Sequence, residues 1–281
     1  MNYVKTGLLL IVLTLMLVWI GSFLGGPRGA LIAFIFALVL NGVSYWYSDK
    51  IVLAIYRARE LPEIQFHHLY NLVGELTKEA DLPMPRLYMT ESKSPNAFAT
   101  GRNPQKAVLC VTRGLLELLD TEELKGVLAH ELAHVKNRDT LIMTVTAAIA
   151  GAIMLLANMA RWAAIFGGYS RQRRDSGNIF TLLAVSIVAP IAALIVQLAI
   201  SRSREYEADK RGAHFAKNPL GLAKALKRLQ EAAKIRPMKE ASPQTAHLFI
   251  VNPFRGSFIA GLFSTHPPIE ERINRLRNMH V

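Results

Sequence analysis

The sequence predicts an α+β fold, mostly helical, in which about four transmembrane helices are fused to a domain carrying a small β-sheet. Three observations predict it. Residues 130–134 read His-Glu-Leu-Ala-His inside a helical stretch, the H-E-x-x-H spacing that sets two imidazoles on one helix face. Four runs, 6–27, 29–48, 140–160 and 176–201, carry no charged residue. Each can cover a hydrocarbon core of roughly 30 Å as a helix of about 20 residues. Short β-like segments at 86–89, 96–100 and 107–112 lie just ahead of the H-E-x-x-H helix.

Composition narrows the classes. The chain has 281 residues, of which 51% are hydrophobic, more than a soluble enzyme of this size needs. The formal net charge is +12, yet no nucleic-acid motif accompanies it, and the basic residues flank the apolar runs. The lipid bilayer, with its anionic headgroups, is therefore the expected partner, and nucleic acid is not. Cys110 is the single cysteine, which excludes an internal disulfide framework and a cysteine metal site and suits a reducing cytoplasm.

In chain order, residues 1–48 read as a transmembrane hairpin. The first run follows Lys5, the turn is Gly25-Gly26-Pro27-Arg28-Gly29, and the second run ends on Tyr45, Trp46 and Tyr47, aromatic residues suited to a membrane interface. No small-x-small cleavage pattern precedes the turn, so a retained anchor is expected rather than a cleaved signal. Lys50, Arg57 and Arg59 place the following segment, 49–139, in the cytoplasm. Residues 61–80 have the period of an amphipathic helix, with Leu69, Leu72, Val73 and Leu76 on one stripe. Its adjacent His67 and His68 point about 100° apart and make poor joint ligands. The segments at 96–100 and 107–112, joined by a turn at 101–104, read as neighbouring strands. An edge strand there can pair with an extended peptide, ordinary sheet packing being the alternative.

Asp120 and Glu123 form a capping pair where the next helix begins. His130 and His134 lie about 40° apart around its axis, and Glu131 sits one step round. This suits two neutral imidazoles holding an ion and a carboxylate taking the proton of a water. A surface helix carrying two histidines is the alternative.

The runs within 140–201 form a second transmembrane or re-entrant hairpin around an arginine-rich linker at 161–175, and Pro190 kinks the later run. An even number of crossings keeps 202–281 on the side of His130. In the helix that follows, Glu205 and Asp209 share a face and Glu207 points away. Glu205 can complete a His₂Glu site, while Asp209 accepts a hydrogen bond from the far nitrogen of a liganding histidine. Residues 219–235 form another amphipathic helix, with Leu222, Leu226 and Leu229 inward. Residues 236–264, rich in Pro and Gly, read as a loop over the cleft, and 269–279 as the last helix. His266, just before that helix, can donate to a tetrahedral intermediate with Arg272 in support, or serve as a cap.

Together these residues resemble the HtpX branch of the membrane zinc metalloproteases related to CAAX-prenyl proteases. The resemblance runs nearly end to end: the N-terminal hairpin, Ser94-Pro95-Asn96-Ala97-Phe98-Ala99-Thr100-Gly101, and the segments 130–139, 201–209 and 264–272. It implies a zincin-like (gluzincin) domain with one Zn²⁺ per chain. It further implies a multi-pass endopeptidase of the cell (inner) membrane, its active site facing the cytoplasm, that cleaves misfolded or damaged membrane proteins. Carried over, His130, His134 and Glu205 are the zinc ligands, Glu131 is the catalytic base, and Asp209 and Asp139 support the ligands from behind. Asn96, Ala97 and Phe98 become the strand that aligns substrate, with His266 and Arg272 beside the intermediate. Two alternatives stand beside this reading. One is a prenyl-protein processing protease, against which four candidate spans rather than seven count. The other is a non-catalytic, zinc-stabilised membrane binding protein, against which the three-ligand set counts, since structural zinc closes with four protein ligands.

Overall fold

The computed structural model describes residues 2–141, 143, 202–235, 250 and 267–281. The chain opens with α1 (Asn2–Ile55), broken at Gly25 (φ −141°, ψ 18°) and Gly26 (φ 59°, ψ −149°). The left-handed φ of Gly26 is available without penalty only to glycine, and Pro27 starts the second arm with its φ already set. The arms fold back on one another. Asn41 Nδ2 donates to Thr14 Oγ1 across them at 2.9 Å, and a methyl group on Gly21 would collide with the Gly29 carbonyl. Gly25–Tyr47 is a helix of 23 residues, long and apolar enough to cross a membrane, and Leu10–Trp19 is a shorter apolar one. Large apolar side chains on both arms, such as Trp19 and Ile35, are exposed.

The hairpin expected at 1–48 extends further. Its second arm continues to Ile55, because Val52, Leu53 and Tyr56 bury themselves against Phe98, Val108 and Cys110 of the sheet. The helix expected at 61–80 is correspondingly shorter. Arg59–Glu60 forms β1, antiparallel to β2 (Arg86–Thr90). Leu61 continues that pairing by donating its N–H to the Leu87 carbonyl at 2.9 Å, so α2 starts at His67 and runs to Ala80.

β3 (Ala97–Thr100) and β4 (Val108–Thr112) complete a mixed sheet of order β1-β2-β4-β3, in which β2 and β4 are parallel and β3 pairs β4 antiparallel. Among the described residues four strands thus stand where the sequence predicts three. Strand side chains alternate between faces, and both faces are covered. Ala97, Ala99, Leu109 and Val111 enter the main core with α2 and α4, whereas Phe98, Val108 and Cys110 meet the end of α1. That explains why β4 is buried at every position.

After α3 (Arg113–Leu118) comes α4 (Thr121–Asn137), which opens with the expected capping box. Asp120 Oδ1 accepts from the Glu123 N–H at 2.9 Å, and Glu123 Oε2 accepts from the Asp120 N–H at 3.1 Å. α4 ends on Arg138 in the left-handed region (φ 59°, ψ 34°), a conformation that costs a non-glycine residue about 1–2 kcal/mol. The helices α5 (Arg202–Ala216) and α6 (Pro219–Ile235) pack on α4, and α7 (Ile269–Arg277) packs on α6 and α5. Leu222, Leu226 and Leu229 of α6 are buried as their spacing predicts. Beyond residue 143, the apolar runs at 140–201 with their linker and Pro190 lie outside the described residues. So do His266 and, save for Ile250, the loop at 236–264.

Candidate metallopeptidase active site

α4 sets His130, Glu131 and His134 in the interior, because Val127, Leu128 and Leu132 anchor the same helix in the core. α5 crosses α4 at the motif itself. A Cβ on Gly212 would stand 2.8 Å from the His130 backbone nitrogen and 2.9 Å from its Cα, so the two backbones meet where only hydrogen fits. That approach carries Glu205 and Asp209, on the preceding turns of α5, over the two imidazoles.

The resulting cluster is tight. His130 Nε2 and His134 Nε2 face each other at 3.3 Å. Glu205 presents Oε2 to His130 Nε2 at 3.7 Å and Oε1 to His134 Nε2 at 3.6 Å. Among the described residues this is the one group of His, Cys, Asp and Glu side chains arranged to hold a metal ion. His67 and His68 are exposed at the start of α2 and take no part.

Behind the cluster, each imidazole has a carboxylate on its far nitrogen. Asp209 Oδ1 lies 2.9 Å from His130 Nδ1, as the shared face of Glu205 and Asp209 predicts. Asp139 Oδ2 lies 3.3 Å from His134 Nδ1, brought back to the helix by the left-handed turn at Arg138. Arg272 is fully buried and grips Asp209 with two prongs, Nε to Oδ2 at 2.8 Å and Nη2 to Oδ1 at 2.7 Å. Its Nη1 reaches Glu205 Oε2 at 3.4 Å and donates to the Ile250 carbonyl. Arg204, not singled out in the sequence, stands 3.7 Å from Asp139 Oδ1 through its Nε. The signal for it was its place one residue before Glu205.

Charge balance tests the fit of a metal. Glu131, Asp139, Glu205 and Asp209 are buried carboxylates, faced by the guanidinium groups of Arg204 and Arg272. With both imidazoles deprotonated, as bound ligands must be, and Glu131 ionised, this leaves two negative charges, which one divalent cation cancels. Buried charges require such compensation.

Glu131 is oriented from the sheet. The Ala99 N–H donates to its Oε2 at 2.9 Å. β3 is an edge strand whose partner bonds run through Asn96, Phe98 and Thr100, since the Thr112 N–H donates to the Asn96 carbonyl and paired residues alternate along an antiparallel ladder. The main-chain groups of Ala97 and Ala99 therefore face the outer edge of the sheet, where no described strand pairs with them, and both residues are buried there. Of the strand residues proposed for substrate, Ala97 stands there. Asn96 is buried, its Oδ1 accepting from the Ile250 N–H at 3.2 Å. Phe98 turns to the opposite face, its ring 5.3 Å from that of Tyr56.

Burial raises the Glu131 carboxyl to about 7, with the negative charge of Glu205 adding to the effect. Burial alone lowers both imidazoles, and His130 ends below its usual range. In His134 the hydrogen bond to Asp139, then the charges of Glu205 and Glu131, outweigh burial and lift it to about 9. Burial would also raise Asp209, but the Arg272 charge and the hydrogen bonds from His130 and Arg272 bring it to about 2.

A buried His₂Glu cluster with a helix-borne carboxylate beside it and the outer strand of the sheet within hydrogen-bond reach defines a metal-dependent peptidase site. The comparisons with known proteins agree. Residues 63–280 match the family model described as peptidase family M48. The chain is 56% identical to the "Protease HtpX homolog" of Syntrophobacter fumaroxidans over 98% of each chain. It is 54% identical to the protein of the same name from Thermococcus kodakarensis, over 99% of this chain and 96% of that one. Its fold matches the crystal structure of S. mikatae Ste24p with a TM-score of 0.50 at 18% identity. That match covers 94% of this chain but 62% of Ste24p, so the chain spans less than two thirds of that neighbour. The chain belongs to peptidase family M48, in its HtpX branch, and is a metalloprotease.

Proposed function

We propose that this metalloprotease is a zinc-dependent endopeptidase embedded in the cell membrane, with its active site on the cytoplasmic side and misfolded or damaged membrane proteins as substrates. The observation that carries the reading is the position of Glu131, between the His130–His134–Glu205 cluster and the outer edge of β3. Zinc suits the donor set. Ligand atoms of a tetrahedral zinc, bound at about 2.0–2.1 Å, stand about 3.4 Å apart, close to the 3.3–3.7 Å separations of these three residues. A bound zinc ion supplies Lewis acidity toward a peptide carbonyl and an acidified water at this site.

The protein's residues perform the rest. Ala97, and the Ala99 carbonyl, offer an extended substrate the hydrogen bonds of an added strand, which lays the scissile bond across the cluster. Ala99 holds Oε2 of Glu131, leaving Oε1 to take the proton of the attacking water and return it to the leaving amine nitrogen. A carboxyl poised near neutrality suits both transfers. Asp209 and Asp139 keep the far nitrogens of His130 and His134 engaged, so that each Nε2 turns to the metal. His266 is expected to donate to the oxyanion. Arg272, held by Asp209, supports the ligands from behind.

The membrane reading rests on the α1 hairpin. Exposed apolar side chains cover both arms, and Tyr45, Trp46 and Tyr47 end the apolar run of the second arm just before Lys50, Arg57 and Arg59. We assign 1–48 and 140–201 to the membrane, the latter as a spanning or re-entrant hairpin, and 49–139 and 202–281 to one zincin-like domain. Prenyl-protein processing is the competing activity, against which four candidate spans rather than seven count.

The test is metal content and casein cleavage by detergent-purified protein, wild type beside Glu131→Ala and His134→Ala. One zinc in wild type and Glu131→Ala, none in His134→Ala, and cleavage by wild type alone are expected. Cleavage by Glu131→Ala at the wild-type rate rejects the assignment of the base. Processing of a farnesylated peptide in place of casein would move the substrate class to prenyl-proteins.

A further inference from the structure

The two imidazoles of the cluster are backed in the same way. Behind His130 stand Asp209 and then Arg272; behind His134 stand Asp139 and then Arg204. The supports cross between elements. Asp209 and Arg204 both come from α5, Arg272 from α7, and Asp139 from the turn that ends α4. Asp139 is 2% exposed, and the side chain of Arg204 is 11% exposed. A carboxylate taken this far from water depends on its cation, because removing one partner of a buried pair leaves the other charge uncompensated.

We propose that Arg204 is a positioning residue of the metal site. Paired with Oδ1 of Asp139, it holds Oδ2 on Nδ1 of His134 and thereby keeps Nε2 of that ring turned toward the metal. The proposal rests on the ligand assignment made above. α5 then supplies the ligand Glu205, the carboxylate behind one histidine, and the cation behind the other. The pairing at 3.7 Å is looser than the two-pronged grip of Arg272 on Asp209, so its loss costs less.

The test uses the full-length, detergent-purified protein, stripped of metal and titrated with Zn²⁺ against a fluorescent chelator. The visible spectrum of the Co²⁺-loaded protein reports ligand geometry independently of activity. Arg204→Gln is expected to weaken Zn²⁺ binding about 10-fold, the lower end of the effect of losing a group behind a ligand, and to shift the cobalt bands. Arg204→Lys should restore most of the affinity. In an Asp139→Asn background, Arg204→Gln should have little further effect, because residues acting through one another are not additive. Wild-type affinity with unshifted bands in Arg204→Gln overturns the proposal, as does a loss that persists undiminished beside Asp139→Asn. Should Arg204→Gln not fold, Arg204→Met decides: a cobalt shift that adds nothing further beside Asp139→Asn supports the role, and an unshifted spectrum rejects it. Failure of the wild type to take up either metal overturns the ligand assignment and this proposal with it. Uptake by wild type with no effect at Arg204 overturns this proposal alone.

Discussion

The N–H of Ala99 and the carboxylate of Glu131 meet at 2.9 Å, joining the edge strand of the sheet to the helix that carries the motif. One bond thus links the strand proposed to align substrate with the carboxylate proposed to move the proton. A shift of β3 is a shift of the base.

Tyr56 controls that strand from the other face. Its ring packs on Phe98 at 5.3 Å, tying β3 to the end of the first helical hairpin. Tyr56→Ala should cost about 3 kcal/mol of stability as a large-to-small change in a packed cluster. It should also raise KM for casein several-fold while metal content stays at the wild-type level. Tyr56→Phe keeps the ring contact and should keep KM. Equal KM values for the Ala and Phe variants would break the link between the membrane anchor and the strand.

Gly212 fixes the spacing of α4 and α5. In Gly212→Ala the new methyl must push against the His130 backbone, which moves Glu205 and Asp209 off the imidazoles. An overpacking cost of about 1–3 kcal/mol is expected, together with weaker zinc binding in a chelator competition. Loss of stability with unchanged affinity would show that α5 moves without disturbing the ligands.

Metal uptake should depend steeply on pH. In the metal-free protein His134 is held protonated up to about 9, and a ligand must shed its proton before it binds. Zn²⁺ affinity should therefore keep rising from pH 6.5 toward 9, beyond the point where an ordinary histidine is already neutral. Asp139→Asn removes the leading upward influence, so its affinity should level off at lower pH. Chelator titrations at four pH values measure both curves.

Arg272 and Asp209 make a buried pair whose loss is expensive. Arg272→Ala leaves Asp209 without its cation and should cost about 3–5 kcal/mol, measured by denaturant unfolding. Lysine cannot reproduce the fork, so Arg272→Lys should recover only part. The folded Asp209 carboxyl sits at about 2, below its unfolded value near 3.9. Its contribution to stability is present above that unfolded value and disappears as pH falls toward 2. Asp209→Asn should flatten this acid limb of the stability curve.

Features set by residues close in sequence follow the local rules. Asp120 and Glu123 cap α4 as predicted, because a capping box needs only residues three positions apart. The facing of His130 and His134, and of Glu205 with Asp209, follows from helical period alone. Strand boundaries shifted by a residue or so, and Arg59–Glu60 was missed because two residues carry no period; only the neighbouring β2 makes them a strand. The extension of α1 to Ile55 was hidden by Asp49 and Lys50, which interrupt the apolar run but not the helix.

The sequence by itself determined the chemistry on offer: which helix bears the paired imidazoles and the carboxylate beside them, which carries Glu205, and which segments are apolar enough for a bilayer. These depend on spacing along one element, where geometry is set by the backbone period. The tertiary structure alone decided which carboxylate backs which histidine, that Arg204 and Arg272 stand behind them, that Phe98 faces the anchor, and that Ala99 holds the base. His130 and Arg272 are 142 positions apart, and no local rule reaches that far. Such contacts exist only once packing brings separate elements together, and burial then turns their charges into pairs.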